Sequence, residues 1–181
     1  MIGYAMCGSF CTLSKSLKTM QELRELGYEL EPIMSEIVYT SDTRFGSCEY
    51  WRERVADICG RPIIHSIVEA EPIGPKNYLD LLIIAPCTGN TLAKLANGIT
   101  DTAVTMAAKA QLRADKPVLI ALASNDALSA NLKNIAAMKQ KKNVFFSRSV
   151  MDEPISKPHS LVAEFTDIKD MIPQLLESYK K

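Results

Sequence analysis

The residues whose types and spacing could bind a ligand are concentrated in one stretch, LDLLIIAPCTGNTLAKLANGITD, which runs from Leu79 to Asp101. Its apolar run at 81–84 does not alternate with polar residues, which is typical of a parallel strand covered on both faces. Pro86 cannot donate to a strand ladder and is predicted to end the strand, and a helical pattern begins at Leu92. Small and polar residues at the carboxyl end of a central strand form the ligand crevice of open α/β sheets. The sequence places five of them here: Cys87, Thr88, Gly89, Asn90 and Thr91.

A second candidate site lies near the start of the chain, where the short strand at 2–6 is followed by the turn CGSFCT. Its glycine spacing matches neither GxGxxG nor the GxxxxGK phosphate loop, so no dinucleotide site of those types is indicated. A Gly-Ser pair before a helix can still offer backbone N–H groups and one hydroxyl to a phosphate. In the alternative interpretation, Ser9 or Thr12 simply caps the following helix, which ends at Gly27.

Hydroxyl-bearing residues also follow the second predicted strand, which spans residues 28–34. They are Ser35, Thr40, Ser41 and Thr43. Because parallel strands end at the same edge of a sheet, we expect these hydroxyls near the central stretch, where they can bond to a ribityl or ribose chain. A solvated loop is the alternative.

The rest of the chain alternates helices and strands. A helix is predicted at 51–58, a short strand at 61–64 and an exposed connection at 69–78. Asp101 is predicted to cap a small-residue helix that packs on the sheet or on another subunit. Further elements follow in order: a buried strand at 117–123, a helix at 128–138, a last strand at 144–146, a flexible loop or flap at about 147–160, and a C-terminal helix with Pro173 in or near its first turn.

This order of elements predicts one α/β domain over residues 1–181. The expected architecture is a Rossmann-like or flavodoxin-like open parallel sheet with helices on both faces. A chain of this length can bury a core that needs no crosslinks.

Composition narrows the classes of function. The 21 basic and 21 acidic residues balance, which argues against a nucleic-acid or membrane-surface partner. The five cysteines form an odd set without CxxC spacing and are interpreted as reduced thiols of a cytoplasmic protein. No histidine stands at a zinc-ligand spacing from them, and no apolar run approaches the roughly 18 residues of a membrane span. We therefore expect no metal site and no membrane segment.

The central stretch also carries a family resemblance. APCTGNTLAKLANGITD resembles the PASANTxAKxANGxxD signature of the flavin-binding cysteine decarboxylase family, which includes lantibiotic and phosphopantothenoylcysteine decarboxylases. The resemblance implies that FMN is bound, with its phosphate near the first turn. The implied cofactor contacts are Gly8, Ser9, Phe10, Ser35, Pro86, Cys87, Thr88, Gly89, Thr91 and Asn125.

The resemblance implies two catalytic candidates, Asn90 and His65. Asn90 corresponds to the signature's asparagine, which faces flavin or substrate. His65, in HSIVE, corresponds to the decarboxylases' active-site histidine, although a lone histidine is more often structural. Cys87 is a reactive thiol if the next helix lowers its pKa, and otherwise a buried inert one. Relatives carry PxMNxxM after the next strand, where this chain has LASNDAL; Asn125 is kept and both methionines are lost, which argues against a thiol substrate.

The overall pattern is most similar to the B subunits of two-subunit oxidoreductases of spore-forming bacteria. This implies formation of pyridine-2,6-dicarboxylate from a dihydrodipicolinate-type intermediate during sporulation, together with an A subunit that binds NADP. The resemblance also implies a homo-oligomer. Two alternatives stay open at this point: a stand-alone FMN-dependent decarboxylase of a cysteine-containing substrate, and a non-catalytic scaffold subunit whose flavin site is vestigial and whose FMN is lost.

Overall fold

Five parallel strands form the centre of the sheet in this computed structural model, which describes residues 1–179. Across the sheet the strands run in the order β2-β1-β3-β4-β7-β6, and β5 also pairs with β4. The strands are β1 (Ile2–Met6), β2 (Leu30–Met34), β3 (Leu81–Thr88), β4 (Val118–Ser124), β5 (Val144–Phe146), β6 (Ser149–Met151) and β7 (Leu161–Ala163). The predicted domain also included Lys180 and Lys181, which lie outside the described residues.

Helices pack on both faces of this sheet, as predicted. One core layer joins the strands to α1, α3 and α9, and the other joins them to α4 through α8. Within the second layer, the alanines of α7 are buried against the sheet, as the first of the two packing alternatives for that helix predicts. The helices are α1 (Leu13–Glu25), α2 (Glu36–Thr40), α3 (Cys48–Cys59), α4 (Ile67–Ala70), α5 (Ile73–Lys76), α6 (Gly89–Ala96), α7 (Ala103–Arg113), α8 (Leu132–Lys139) and α9 (Asp167–Ser178), with a 3-10 turn at Phe10–Thr12 before α1.

The central strand is longer than the sequence predicts. We expected Pro86 to end it, but β3 continues to Thr88. The pairing register with β4 shifts between Ile84 and Cys87, so the missing N–H of proline falls where the ladder is already interrupted. The carbonyl of Pro86 still takes part, because it accepts a hydrogen bond of 3.0 Å from the N–H of Cys7.

The sheet is mixed rather than wholly parallel. Strand β7 pairs antiparallel with the end of β4, and β6 pairs antiparallel with β7. The strand at 144–146 is therefore not the last one, and the segment predicted as a loop at 147–160 contains β6. Three-residue strands carry too few residues to give a recognisable alternation; β7 forms because the end of β4 offers a free edge, and β6 then pairs with β7.

Several predicted boundaries also change. Residues 61–64 form only an isolated bridge between Ile33 and Ile64, and 69–78 contains α5 with Ile73 buried. Helix α7 is capped by Thr102 instead of Asp101, through a capping box with Thr105, and Pro173 lies well inside α9. The helix predicted at 51–58 is α3, and Gly60 ends it with a left-handed φ of 64°. No helix within residues 1–179 is long and apolar enough to cross a membrane.

A buried hydroxyl ties the first helix to the central strand. Ser16 Oγ donates to the carbonyl of Ala85 over 2.5 Å, and Tyr4 Oη lies 3.1 Å from both Oγ and O of Ser16. All three residues are fully buried. The bond satisfies the Ala85 carbonyl at the place where the β3–β4 ladder shifts register, so it fixes the direction in which the chain leaves β3.

We expect Ser16→Ala to lower the free energy of unfolding by about 1–3 kcal/mol, because the Ala85 carbonyl then loses its buried donor. Urea unfolding followed by circular dichroism measures this change. Ser14→Ala is the matched control, since Ser14 lies exposed on the same helix. Equal stability of the two variants would show that the Ser16–Ala85 bond contributes nothing.

Candidate functional site

Two adjoining cavities open at the carboxyl edge of the parallel strands. The main cavity has a volume of about 550 Å³ and lies between the turns that follow β1, β3 and β4. The side cavity, of about 330 Å³, lies between the turns that follow β1, β2 and β3. Gly8, Thr88 and Asn90 line both cavities. The arrangement follows from the parallel pairing, which brings the carboxyl ends of neighbouring strands to one edge.

Most of the predicted site residues line these two cavities. The main cavity includes seven of them: Gly8, Ser9, Phe10, Thr88, Gly89, Asn90 and Asn125. The side cavity adds Ser35 and Thr91. Pro86 and Cys87 do not line either cavity, because both are buried inside β3.

The turn after β1 is not closed by side-chain capping. Ser9 and Thr12 stand at the N-cap positions of the 3-10 turn and of α1, as the alternative interpretation predicted, but neither makes a side-chain cap bond. The Thr12 hydroxyl instead donates back to the carbonyl of Ser9 over 2.8 Å. Gly8 is needed for space, since a Cβ there would lie 2.9 Å from Ile37 Cγ2. Ser9 lines the main cavity, and its hydroxyl has one long contact, 4.0 Å to Cys11 Sγ.

Ser35 presents a buried hydroxyl to the side cavity. It follows β2, is only 8% exposed, and its Oγ has no hydrogen-bond partner among residues 1–179. Leaving a buried hydroxyl unpaired costs about 1–3 kcal/mol. Such a group in a cavity wall indicates a partner supplied by a ligand.

The start of α6 forms the floor shared by the two cavities. Thr88 caps this helix by accepting a bond of 3.2 Å from the Thr91 N–H, and its hydroxyl donates to Thr91 Oγ1 over 3.1 Å. Thr91 Oγ1 in turn donates to Cys7 Sγ at 3.4 Å, which joins this turn to the end of β1. The caps occupy the threonine hydroxyls, so Asn90, which is exposed, is the side chain of this turn that is free to meet a ligand.

A polar network after β4 forms the opposite wall. Asp126 Oδ1 accepts bonds from Ser124 Oγ at 2.5 Å and Asn131 Nδ2 at 2.8 Å. These bonds lower the pKa of the Asp126 carboxyl. Gly89 makes room for the network, because a Cβ there would lie 2.9 Å from Asp126 Oδ1. The wall therefore carries an ionised carboxylate at neutral pH.

His65 lies apart from Asn90. Its ring stacks on Tyr39 with centroids 3.7 Å apart, and its Nδ1 lies 2.9 Å from Glu69 Oε2. It lines a third depression of about 400 Å³, which shares only Glu36 and Thr102 with the side cavity. The structure thus does not bring the two catalytic candidates of the sequence into one cavity.

The buried thiols of Cys7 and Cys87 are not activated. Burial raises the pKa of Cys7 to about 11, and burial with the neighbouring Cys7 raises that of Cys87 well above its ordinary value. The hypothesis that the α6 N-terminus lowers the pKa of Cys87 is therefore wrong. In the described part of the chain, no group of three histidine, cysteine or acidic side chains could hold a metal ion.

Several cavity-lining residues were missed by the sequence reasoning: Arg44, Phe45, Asp126, Asn131, Asp152 and Lys157. Asp126 could have been found, because it directly follows Asn125 at the end of a predicted strand. Arg44 lies in the hydroxyl-rich segment after the second strand, and Lys157 lies in the predicted flap. No pattern in the sequence indicates that those two segments meet at the same cavity.

Comparison with known proteins places this site in a family. The model of the family described as Flavoprotein matches residues 1–177. The chain belongs to the Flavoprotein family. Among relatives within it, the dipicolinate synthase B subunit of Bacillus subtilis (strain 168) is 42% identical over 176 residues, which cover 97% of this chain and 86% of that protein.

Solved structures of the Flavoprotein fold agree with this assignment. The crystal structure of the dipicolinate synthase B subunit from Bacillus halodurans C has a TM-score of 0.88 and 40% identity, and the match covers 99% of this chain and 92% of that chain. The FMN-dependent cysteine decarboxylase SpaF has a TM-score of 0.74 at 19% identity, covering 98% and 95%, and shows the shared fold.

We expect alkylation at pH 8 to distinguish the thiols. Cys11 is exposed and Cys48 half-buried, so both react with iodoacetamide in the native protein. Cys7 reacts at least about 100-fold more slowly, because a pKa of about 11 leaves little thiolate at this pH. Cys87 is protected in the same way. Peptide mass spectrometry over time measures each rate, with urea-unfolded protein as the control; rapid native labelling of Cys87 would contradict its burial.

Proposed function

We propose that this chain is the FMN-binding B subunit of a dipicolinate-forming oxidoreductase. The observation that carries the proposal is the convergence of Gly8–Phe10, Ser35 and Thr88–Thr91 on adjoining cavities at one sheet edge. These are the segments to which the family resemblance assigned flavin contacts. The identity of 42% with a dipicolinate synthase B subunit supports the more specific reaction.

The residues present fit an FMN-like ligand. The unpaired Ser35 hydroxyl needs a polar partner, and a ribityl or phosphate oxygen supplies one. The turn at Gly8–Phe10 offers a hydroxyl and close backbone approach, which suit a phosphate. Bound there, a flavin supplies an acceptor for a hydride. Asn90 lies between the two cavities, where its amide can contact both cofactor and substrate.

The proposed reaction makes a ring aromatic by removing a hydride and a proton from a dihydropyridine dicarboxylate. Bound flavin, or NADP on a partner A subunit, would accept the hydride, and the proton would pass to solvent or a base. Asn90 binds and orients the substrate in the main cavity. His65 remains a proposed proton-handling residue, and this role requires access through Glu36 and Thr102, which border both its depression and the side cavity.

A stand-alone decarboxylase of a cysteine-containing substrate is less well supported. The wall that carries PxMNxxM in the decarboxylases is occupied here by Ser124, Asn125 and Asp126, which are polar. A polar wall with an ionised carboxylate suits a charged, flat ligand better than an alkyl thiol. We further propose a cytoplasmic homo-oligomer that assembles with the A subunit.

We expect the purified chain to bind added FMN, with a shift of the flavin visible spectrum and quenching of its fluorescence. Ser35→Ala weakens this affinity by about 5–10-fold, because one hydrogen bond is lost. The same change leaves thermal stability unchanged or higher, since Ser35 Oγ has no partner within residues 1–179. Ser14→Ala serves as control. An unchanged FMN spectrum would support the vestigial-site alternative instead.

We expect Asn90→Ala to lower dipicolinate synthesis by the reconstituted A and B subunits about 10–100-fold, because a directed hydrogen bond to bound substrate is removed. Product formation is followed by its ultraviolet absorbance. Asn97→Ala, which lies exposed at the other end of α6, is the control. Full activity of Asn90→Ala would remove this residue from the substrate site.

A further inference from the structure

A tight turn brings an arginine and a phenylalanine to the wall of the main cavity. The turn lies between α2 and α3, and Thr43 and Gly46 close it by donating their N–H groups to each other's carbonyls, both at 3.1 Å. Arg44 and Phe45 occupy its tip and line the main cavity. The guanidinium carbon of Arg44 lies 4.8 Å from the centroid of the Phe45 ring. The two side chains therefore form one unit.

The turn is held in place on both sides. Asp42 Oδ1 accepts the N–H of Cys48 at 2.9 Å, and Ser47 Oγ caps α3 by accepting the N–H of Tyr50 at 3.1 Å. Gly46 has a φ of 140°, and a Cβ there would lie 3.0 Å from Trp51 Nε1. Because Trp51 is buried in the core, the turn is anchored to the body of the protein.

Arg44 carries the unneutralised positive charge of this cavity. The other lining cation, Lys157, is paired with Asp152 at 3.0 Å and Glu153 at 3.1 Å. Within residues 1–179, no carboxylate oxygen lies within 4.0 Å of the Arg44 guanidinium. Asp126, on the wall formed after β4, is ionised because its bonds lower its pKa. An anionic ligand is therefore attracted to Arg44 and repelled by Asp126.

We propose that the Arg44–Phe45 turn is the carboxylate anchor for a planar ring dicarboxylate in the main cavity; this inference rests on the proposed function. The planar fork of arginine matches a carboxylate with two parallel hydrogen bonds. The ring of Phe45 offers a flat apolar face for the ring of the ligand. The phosphate of a flavin is also an anion that an arginine binds. Measuring the affinity for FMN separately from that for the dicarboxylate distinguishes these two ligands.

The test is isothermal titration calorimetry with pyridine-2,6-dicarboxylate on the purified chain, in the presence of FMN. Arg44→Gln weakens binding about 10–100-fold, because charge-assisted hydrogen bonds are lost. Arg44→Lys restores part of the affinity, since it returns the charge without the fork. Arg54→Gln is the matched control, as it removes the same charge from an exposed site on α3 outside the cavity. FMN affinity of each variant is measured separately by fluorescence.

Each outcome is decisive. Weaker dicarboxylate binding by Arg44→Gln, with FMN affinity within about twofold of wild type, supports the anchor. Unchanged dicarboxylate binding, or a loss of FMN binding instead, overturns the anchor and leaves the proposed function standing. A wild-type chain that binds FMN but no pyridine-2,6-dicarboxylate overturns both the anchor and the proposed substrate class.

Discussion

The site depends on how the ends of β1 and β3 are joined. The N–H of Cys7 donates to the carbonyl of Pro86, and the Thr91 hydroxyl donates to Cys7 Sγ, so the turns that follow the two strands are linked in the interior. Ser16 fixes the adjacent carbonyl of Ala85 from the helix below. Because these groups are buried, leaving any of them unpaired is costly, and the backbone at the cavity floor has one arrangement. Residues that touch no ligand thus set the position of those that do.

Charge is distributed unevenly around the main cavity, so one orientation of a charged ligand is favoured over the other. Among residues 1–179, Arg44 has no carboxylate partner on one wall, whereas Asp126 is held ionised on another by Ser124 and Asn131. Lys157 contributes little field, because Asp152 and Glu153 neutralise it. A ligand with negative groups gains most when they face Arg44. The side cavity is rich in hydroxyl groups, and its charged lining residues are Glu36 and Lys94, of which Lys94 is paired with Asp101.

The strands and site residues that could be predicted from the sequence are those that local residue patterns determine. Unbroken apolar runs identified β3 and β4, and the polar residues after β3 identified Thr88–Thr91, because a strand end alone determines their position; Asn125 was implied by the family resemblance. The short strands β6 and β7 were missed, since they form only through tertiary pairing, β7 with the end of β4 and β6 with β7. Arg44 was missed for a similar reason: its segment meets the turn after β4 only in the folded chain, and no spacing in the sequence reports that contact.

Two positions at which this chain departs from the family pattern lie close together in the folded protein. The signature PASANT has alanine where this chain has Gly89, and PxMN has methionine where it has Ser124. An alanine at position 89 would place its Cβ 2.5 Å from Asn131 Nδ2 and 2.9 Å from Asp126 Oδ1, inside the network that Ser124 helps to form. The network therefore requires the glycine. A glycine at the start of α6 and a serine at the end of β4 thus occur together, and the wall that carries methionine in the family pattern is polar and anionic here.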